Sequence, residues 1–196
     1  MKKFLLLIVL VSAIHIANAQ RFTHGVGFGV FVIDAPSTDL GAFGTITYSP
    51  KYNFYETEAL SVSVGIPLNV GFAESYVVDY SGYYYEAAPI RFMINAPMMI
   101  NLNVGAGSTK QNEKRFGFFI GGGFGLHYGD YGVTRVEGNY EYYDTQYGAT
   151  FGPSANAGFR IAVGKHQKNI ETYFTYGKGV TNQKTAIYGM GALFNF

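Results

Sequence analysis

Hydrolysis or acyl transfer by a nucleophile needs a hydroxyl or thiol, a base to take its proton and an acid to orient the base. This chain has no cysteine and four histidines, one of which, His15, lies in the leading apolar run. His24 and His166 fall at one edge of the strand pattern described below. His127 falls at the other edge, where Tyr128, Asp130 and Ser154 are its candidate company. Nothing in the spacing converges base, acid and hydroxyl, so His127 is read as structural and no residue is assigned a catalytic role. Gly121-Gly122-Gly123-Phe124-Gly125 has the glycine density of a phosphate loop. It lacks the following Lys-Ser/Thr and opens no helix, so glycines that let strands pack closely and curve explain it better. With no cysteine and no two histidines at ligand spacing, neither a metal nor a cofactor is expected.

One charged pair stands out. Arg160 and Glu171 sit on the same parity of two neighbouring strands joined by residues 165–169, within two residues of direct opposition. That placement suits an interior ion pair with a structural role; a gate or proton path is the alternative use.

The elements that would position these residues are strands, because apolar residues recur with period two along the chain. Over 60–72, Leu60, Val62, Val64, Ile66, Leu68, Val70 and Phe72 share one face while Ser61, Ser63, Gly65, Pro67, Asn69 and Gly71 share the other. A one-residue slip would exchange the two environments along the whole strand. Similar alternation marks strands over 24–33, 41–48, 94–104, 116–128, 149–163, 170–178 and 185–196, eight in all. Even positions are apolar from 90 to 104, too long for one ~10-residue crossing, so 87–93 is expected to project beyond the membrane. A hairpin turning at Asn95-Ala96-Pro97 is the rival reading, and it would make the strand count odd. The expected fold class is all-β, an eight-stranded antiparallel transmembrane up-and-down β-barrel. Such a barrel has a lumen that side chains fill, here Phe31, Phe43, Phe119, Tyr173 and Leu193.

Composition narrows the function classes. The chain of 196 residues is 48% hydrophobic with 17 Tyr, 17 Phe, 26 Gly and no Trp. After the leader no apolar run approaches the ~20 residues of a spanning helix, so alternation is what remains to use that apolar content. Formal net charge is +1 and the basic residues are scattered, which removes the footprint of a nucleic-acid binder. Lys2 and Lys3, an apolar run over 4–14 and Ala17-Asn18-Ala19 have the form of a cleavable secretory signal peptide. The expected organisation is therefore a signal peptide over 1–19 and one domain over 20–196. The absence of cysteine excludes a lipoprotein and any disulfide.

With eight strands both termini of the mature chain face the periplasm, and the loops after strands one, three, five and seven face outside. Two of these loops, 73–91 and 129–148, carry Tyr76, Tyr80, Tyr83, Tyr84, Tyr85, Tyr140, Tyr142 and Tyr143 among acidic residues. The turns at the other end, 108–115 and 165–168, lean basic. Tyrosine offers large contact area at little entropic cost, so these loops are the candidate binding surface, although an interfacial aromatic girdle would account for many of them.

The leader, the amphipathic strands, Leu60-Ser61-Val62-Ser63-Val64-Gly65-Ile66-Pro67-Leu68, the 97–105 strand, 116–125 and the terminal Gly191-Ala192-Leu193-Phe194-Asn195-Phe196 together resemble the small outer-membrane β-barrel family of Gram-negative bacteria, with OmpA/OmpX-like architecture. The resemblance covers the whole mature chain. It implies export to the cell outer membrane, contact with outer-membrane lipid, and a closing signal in Gly191, Phe194 and Phe196 that the barrel-assembly machinery reads. No peptidoglycan-binding domain is expected after Phe196, so the resemblance does not imply the anchoring role of larger relatives. The function expected is structural or surface-interacting, through the tyrosine-rich loops toward an extracellular ligand or protein, with no open pore and no enzymatic activity. A lipid-modifying hydrolase or acyltransferase, or a narrow channel, are the alternatives.

Overall fold

The structure, a computed structural model, describes residues 21–35, 40–73, 90–109, 111–137, 140–164, 168–181 and 184–196, and of 131–145 the backbone alone. Its strands are β1 (Phe22–Asp34), β2 (Gly41–Glu56), β3 (Leu60–Gly65), β4 (Leu68–Ala73), β5 (Arg91–Gly105), β6 (Phe116–Glu137), β7 (Tyr140–Ala162), β8 (Asn169–Lys178) and β9 (Ala186–Asn195). Successive strands pair antiparallel, except that β3 and β4 each pair with β2 and with β5 rather than with one another, and β9 pairs with β1, from Gly25↔Asn195 to Asp34↔Ala186, which closes the ring.

The ring has eight staves, because β3 and β4 form one. Both pair with β2 in a single register, Lys51↔Gly65 continuing as Tyr48↔Leu68, and both pair with β5, Gly65↔Met99 continuing as Asn69↔Asn95. The gap falls at Ile66-Pro67 opposite Pro50, where two imides withhold ladder donors; Ile66 N still donates to Pro50 O at 3.3 Å. A bulge between Asn53 and Tyr55 turns both Phe54 and Tyr55 outward, since one extra residue resets the two-residue period.

Three boundaries differ from the sequence reading. Strand 41–48 extends to Glu56, because Ser49, Lys51 and Asn53 keep the inward parity although they are polar. The 90–104 pattern is a single strand from Arg91 to Gly105, with no hairpin at 95–97. Residues 129–148, expected as a loop, prolong the β6–β7 ladder to Glu137↔Tyr140; their charged and tyrosine-rich composition reads as loop and hides the pairing.

The side-chain distribution is inverted relative to a water-soluble fold. Phe28, Ile46, Phe72, Met98, Ile100, Phe118, Ile120, Phe159, Phe174 and Met190 point outward and are exposed, Phe28 to 72%. Inside lie Thr45, Thr47, Ser49, Asn53, Ser61, Ser63, Asn69, Asn95, Asn101 and Asn103, all buried. An apolar cluster of Phe31, Ile33, Phe43, Met93, Phe119, Tyr173, Ile187 and Leu193 fills the space between them.

Inward glycines are the sockets for these large residues. A Cβ on Gly191 would lie 2.7 Å from Tyr173 Oη, one on Gly29 2.8 Å from the same atom, and one on Gly189 2.7 Å from the Phe31 ring. Small positions on one stave thus receive bulk from the next, as curved sheets require. Gly191→Val should therefore displace Tyr173 and cost about 1–3 kcal/mol through overpacking, read as a lower urea midpoint of the folded barrel in lipid vesicles. A variant as stable as the parent would mean that Tyr173 has somewhere else to go.

Candidate lumen site and rims

The charged centre of the lumen lies near the end where residue 21 and Phe196 sit. Glu171 on β8 faces Arg160 on β7 in direct register, with Arg160 Nε 2.7 Å from Glu171 Oε2. Lys51 Nζ from β2, across the barrel, donates to Glu171 Oε1 at 2.9 Å and Oε2 at 2.6 Å, and Asn195 Nδ2 donates to Oε2 at 3.0 Å. Glu171 therefore ties β2, β7, β8 and β9 together. The Arg160 guanidinium stands 4.7 Å from the centre of the Phe119 ring and Lys51 Nζ stands 5.6 Å from it, a favourable placement of cations on a ring face. All three charged side chains are buried.

Ending strand two at Tyr48 leaves Lys51 out of the lumen expected from sequence. The parity of Ser49, Lys51 and Asn53 is the signal that would have found it. A lumen-facing lysine needs a buried carboxylate, and Glu171 is within reach only because the sheet curls until β2 faces β8.

At the other end Arg91 on β5 pairs with the Asp130 carboxylate on β6, and the Arg91 guanidinium lies 5.2 Å from the Phe43 ring. Alternation along β6 would turn Asp130 outward, yet it is buried. The β5–β6 register ends at Met93↔Gly129; beyond it the ribbon has no lumen side, and the two-residue period stops deciding which face is enclosed.

The hydrolytic set does not assemble. His127 is buried and lines a cavity of about 10 Å³ together with Asn95, Thr150 and Ser154, but Tyr128 points to the opposite, outer face and Asp130 is engaged by Arg91. His24 Nδ1 is hydrogen-bonded to Tyr48 Oη at 2.8 Å; His166 lies outside the described residues. Among the described residues no group of three His, Asp or Glu could hold a metal. A central cavity of about 30 Å³ is lined by Thr47, Lys51, Asn101 and Glu171 on the one hand and by Met99, Phe119 and Leu193 on the other, and is of the size of a bound water.

Of the closing residues, Gly191 lies under Tyr173, whereas Phe194 and Phe196 are exposed on the outer face with ring centres 6.2 Å apart. Phe196 also seals the seam: His24 N donates to Phe196 O at 3.1 Å, Phe196 N to His24 O at 2.8 Å, and the two rings stack at 6.1 Å.

Tyr76, Tyr80, Tyr83, Tyr84 and Tyr85 lie outside the described residues. Tyr140, Tyr142 and Tyr143 belong to the β6–β7 ribbon, paired with Glu137, Arg135 and Thr134. From Asp130↔Tyr147 to Glu137↔Tyr140 this ribbon rises roughly 25 Å at the rise of an extended strand. Among the described residues neither of its edges meets another strand: β5 stops pairing at Gly129, and β8 pairs with β7 only as far as Ser154, followed by a single bond from Val180 N to Phe151 O.

No family model matches the chain, and no curated protein matches it by sequence. Among solved structures, Neisserial surface protein A superposes with a TM-score of 0.55 at 8% identity, covering 89% of this chain and 95% of its own. Ail, the attachment invasion locus protein of Yersinia pestis, superposes at 0.51 with 12% identity, and its complex with the heparin analogue sucrose octasulfate at 0.53 with 11%; each covers 89% of this chain and 97% of its own. At such identities the likeness is one of fold. The chain has the fold of the small eight-stranded outer-membrane barrels.

Proposed function

We propose that this chain is an integral outer-membrane barrel whose role is structural or surface-interacting, exercised at the end bearing the β6–β7 ribbon, with neither a reaction centre nor an open pore in its lumen. The observation that carries the reading is the inverted side-chain distribution: a closed ring of strands with aromatic and aliphatic residues outside and Asn, Ser, Thr and ion pairs inside is stable only with hydrocarbon around it. In outer-membrane fractions of expressing cells, unheated protein should migrate faster on SDS gels than boiled protein. A heat-insensitive band in the soluble fraction would sink the membrane reading.

Two observations support the absence of a pore. Bulky residues from Phe31 to Leu193 occupy the axis, and the central cavity is of water size. Among the described residues no nucleophile, base and acid converge around His127, which speaks against the lipid-modifying alternative. Surface interaction is favoured by the ribbon, whose two edges meet no other strand among the described residues and so can offer backbone donors and acceptors to an extended partner, and by the tyrosines along it. The polysulfate seen with the Yersinia protein is a poor guide here, because Glu74, Asp79, Glu86, Glu137, Glu141 and Asp144 make the two long loop segments of this sequence acidic, which disfavours a polyanion. An epitope inserted between Gly138 and Asn139 should be labelled by antibody on intact cells; labelling only after permeabilisation would reverse the orientation and end the surface role.

A further inference from the structure

The rim opposite the ribbon has a feature that closure and surface binding leave unused. Lys114, Arg115 and Lys168 are exposed there, on the turns that enter β6 and β8. Arg115 O accepts from Ala162 N at 2.8 Å, and Val163 N donates to Lys168 O at 2.8 Å, so the three backbone segments run side by side. At the ~4.8 Å spacing of neighbouring strands the backbones that carry the two flanking cations stand roughly 10 Å apart, within reach of one headgroup for long, flexible side chains. The Arg115 guanidinium lies 5.8 Å from the ring of Phe116, which faces outward and is exposed; the charge is thus held where the apolar belt ends. Glu113 precedes this group, and the other described acidic side chains of the rim, Glu56 and Glu58, belong to the β2–β3 turn, with Glu56 taken by Asn53 Nδ2 at 2.8 Å; the β8–β9 register carries the carboxylate of Phe196 toward Lys168, one anion against the three cations.

Directly inward from Lys168 the outer wall is indented. Four residues along β8, Thr172 pairs with Ala192, and Ala192 with Phe28, so two small side chains stand between Phe28 and Phe159. The result is a shallow apolar indentation, open to the surroundings, bordered by Phe28, Val30, Phe174 and Met190. Lys168 and Thr172 are separated by roughly 13 Å of strand, with the outward Ile170 between them.

We propose that this sector, resting on the outer-membrane reading above, is a binding site for an anionic phospholipid: the headgroup phosphate is held by Lys114, Arg115 and Lys168, and one acyl chain lies in the depression at Thr172 and Ala192. Charge complementarity selects the lipid class, because cations at a membrane surface favour anionic over zwitterionic headgroups, by roughly fivefold for each cation engaged. An acidic periplasmic protein or a second copy of the chain would engage the same cations without needing the depression.

The sequence contains no tryptophan, so Ile170→Trp provides a single fluorescent reporter between headgroup and chain. The full barrel carrying this change is reconstituted in vesicles mixing phosphatidylglycerol and phosphatidylcholine, with one or the other brominated. Brominated phosphatidylglycerol is expected to quench at least about fivefold more effectively than its mole fraction predicts, with the preference falling at high salt. Lys114→Gln, Arg115→Gln and Lys168→Gln combined should bring the ratio to about one, and Ala192→Phe, which fills the depression and spares the cations, should at least halve it. Equal quenching by the two lipids, or a preference that survives neutralisation of the three cations, would overturn the site; a preference untouched by Ala192→Phe would overturn the seat for the chain. If neither brominated lipid quenches the reporter, it is the membrane reading itself that fails.

Discussion

Replacing Glu171 by leucine is expected to cost the folded barrel roughly 3–5 kcal/mol, the range for removing one member of a buried ionic cluster. The reason is what the substitution strands. Lys51 Nζ and Arg160 Nε both end on Glu171, and without it two buried cations face each other across the Phe119 ring with no anion among their described contacts. Leucine cannot accept from Asn195 Nδ2 either, so a hydrogen bond that holds the closing strand is lost as well. Urea titration in lipid vesicles, with the folded and unfolded bands separated on cold gels, measures the loss. Adding Lys51→Met to Glu171→Leu should recover part of it, because one stranded cation is gone, and the double variant should be more stable than the sum of the two single losses predicts. A Glu171→Leu barrel within about 1 kcal/mol of the parent would show that water enters the lumen freely enough to solvate both cations.

The second large effect is on the outer wall. Phe174 lies in the row Ile120, Ala157, Phe174, Met190, Val30, which is in register across five staves, and it is 61% exposed. In water, Phe174→Arg would be neutral or helpful, since it removes an exposed aromatic. In a bilayer it should cost about 2–4 kcal/mol, the range for arginine near the midplane of a barrel, whereas the same change near an interface costs about 0–1 kcal/mol. Phe22→Arg, at the start of β1 and also exposed, is the matched change at the rim. The midpoint shift should therefore be several-fold larger at 174 than at 22. Equal shifts at the two positions would contradict the placement of the β6–β9 wall in hydrocarbon.

The strand architecture was legible because period two is a local property. Leu60 to Phe72 alternates whatever surrounds it, and so does Phe116 to Tyr128. The same period placed Phe31, Phe43, Phe119, Tyr173 and Leu193 on the inner face, where the structure has them buried. At Pro50 and Pro67 the ladder parts β3 from β4 but the register, and with it the period, holds. The period failed where another signal overrode it: the bulge at Asn53 turns Phe54 and Tyr55 to one side, and the 129–148 ladder has a composition that reads as loop although it pairs as far as Glu137↔Tyr140.

Contacts across the barrel were a different matter. Arg160 and Glu171 are eleven residues apart on adjacent strands, so strand pairing alone suggests their proximity. Lys51 is 120 residues from Glu171 and reaches it through the curvature and closure of the whole sheet, and Asp130 meets Arg91 only where the ribbon leaves the wall. The lipid-facing depression at Thr172 and Ala192 likewise exists only once three staves are in register. By itself the sequence determined which side of each strand is apolar and how many staves there are, because both follow from side-chain alternation along a single segment. Only the tertiary structure decided which inward charges meet, which glycines receive which rings, and where the outer wall is indented, because those depend on strand stagger and barrel closure, which no single segment encodes.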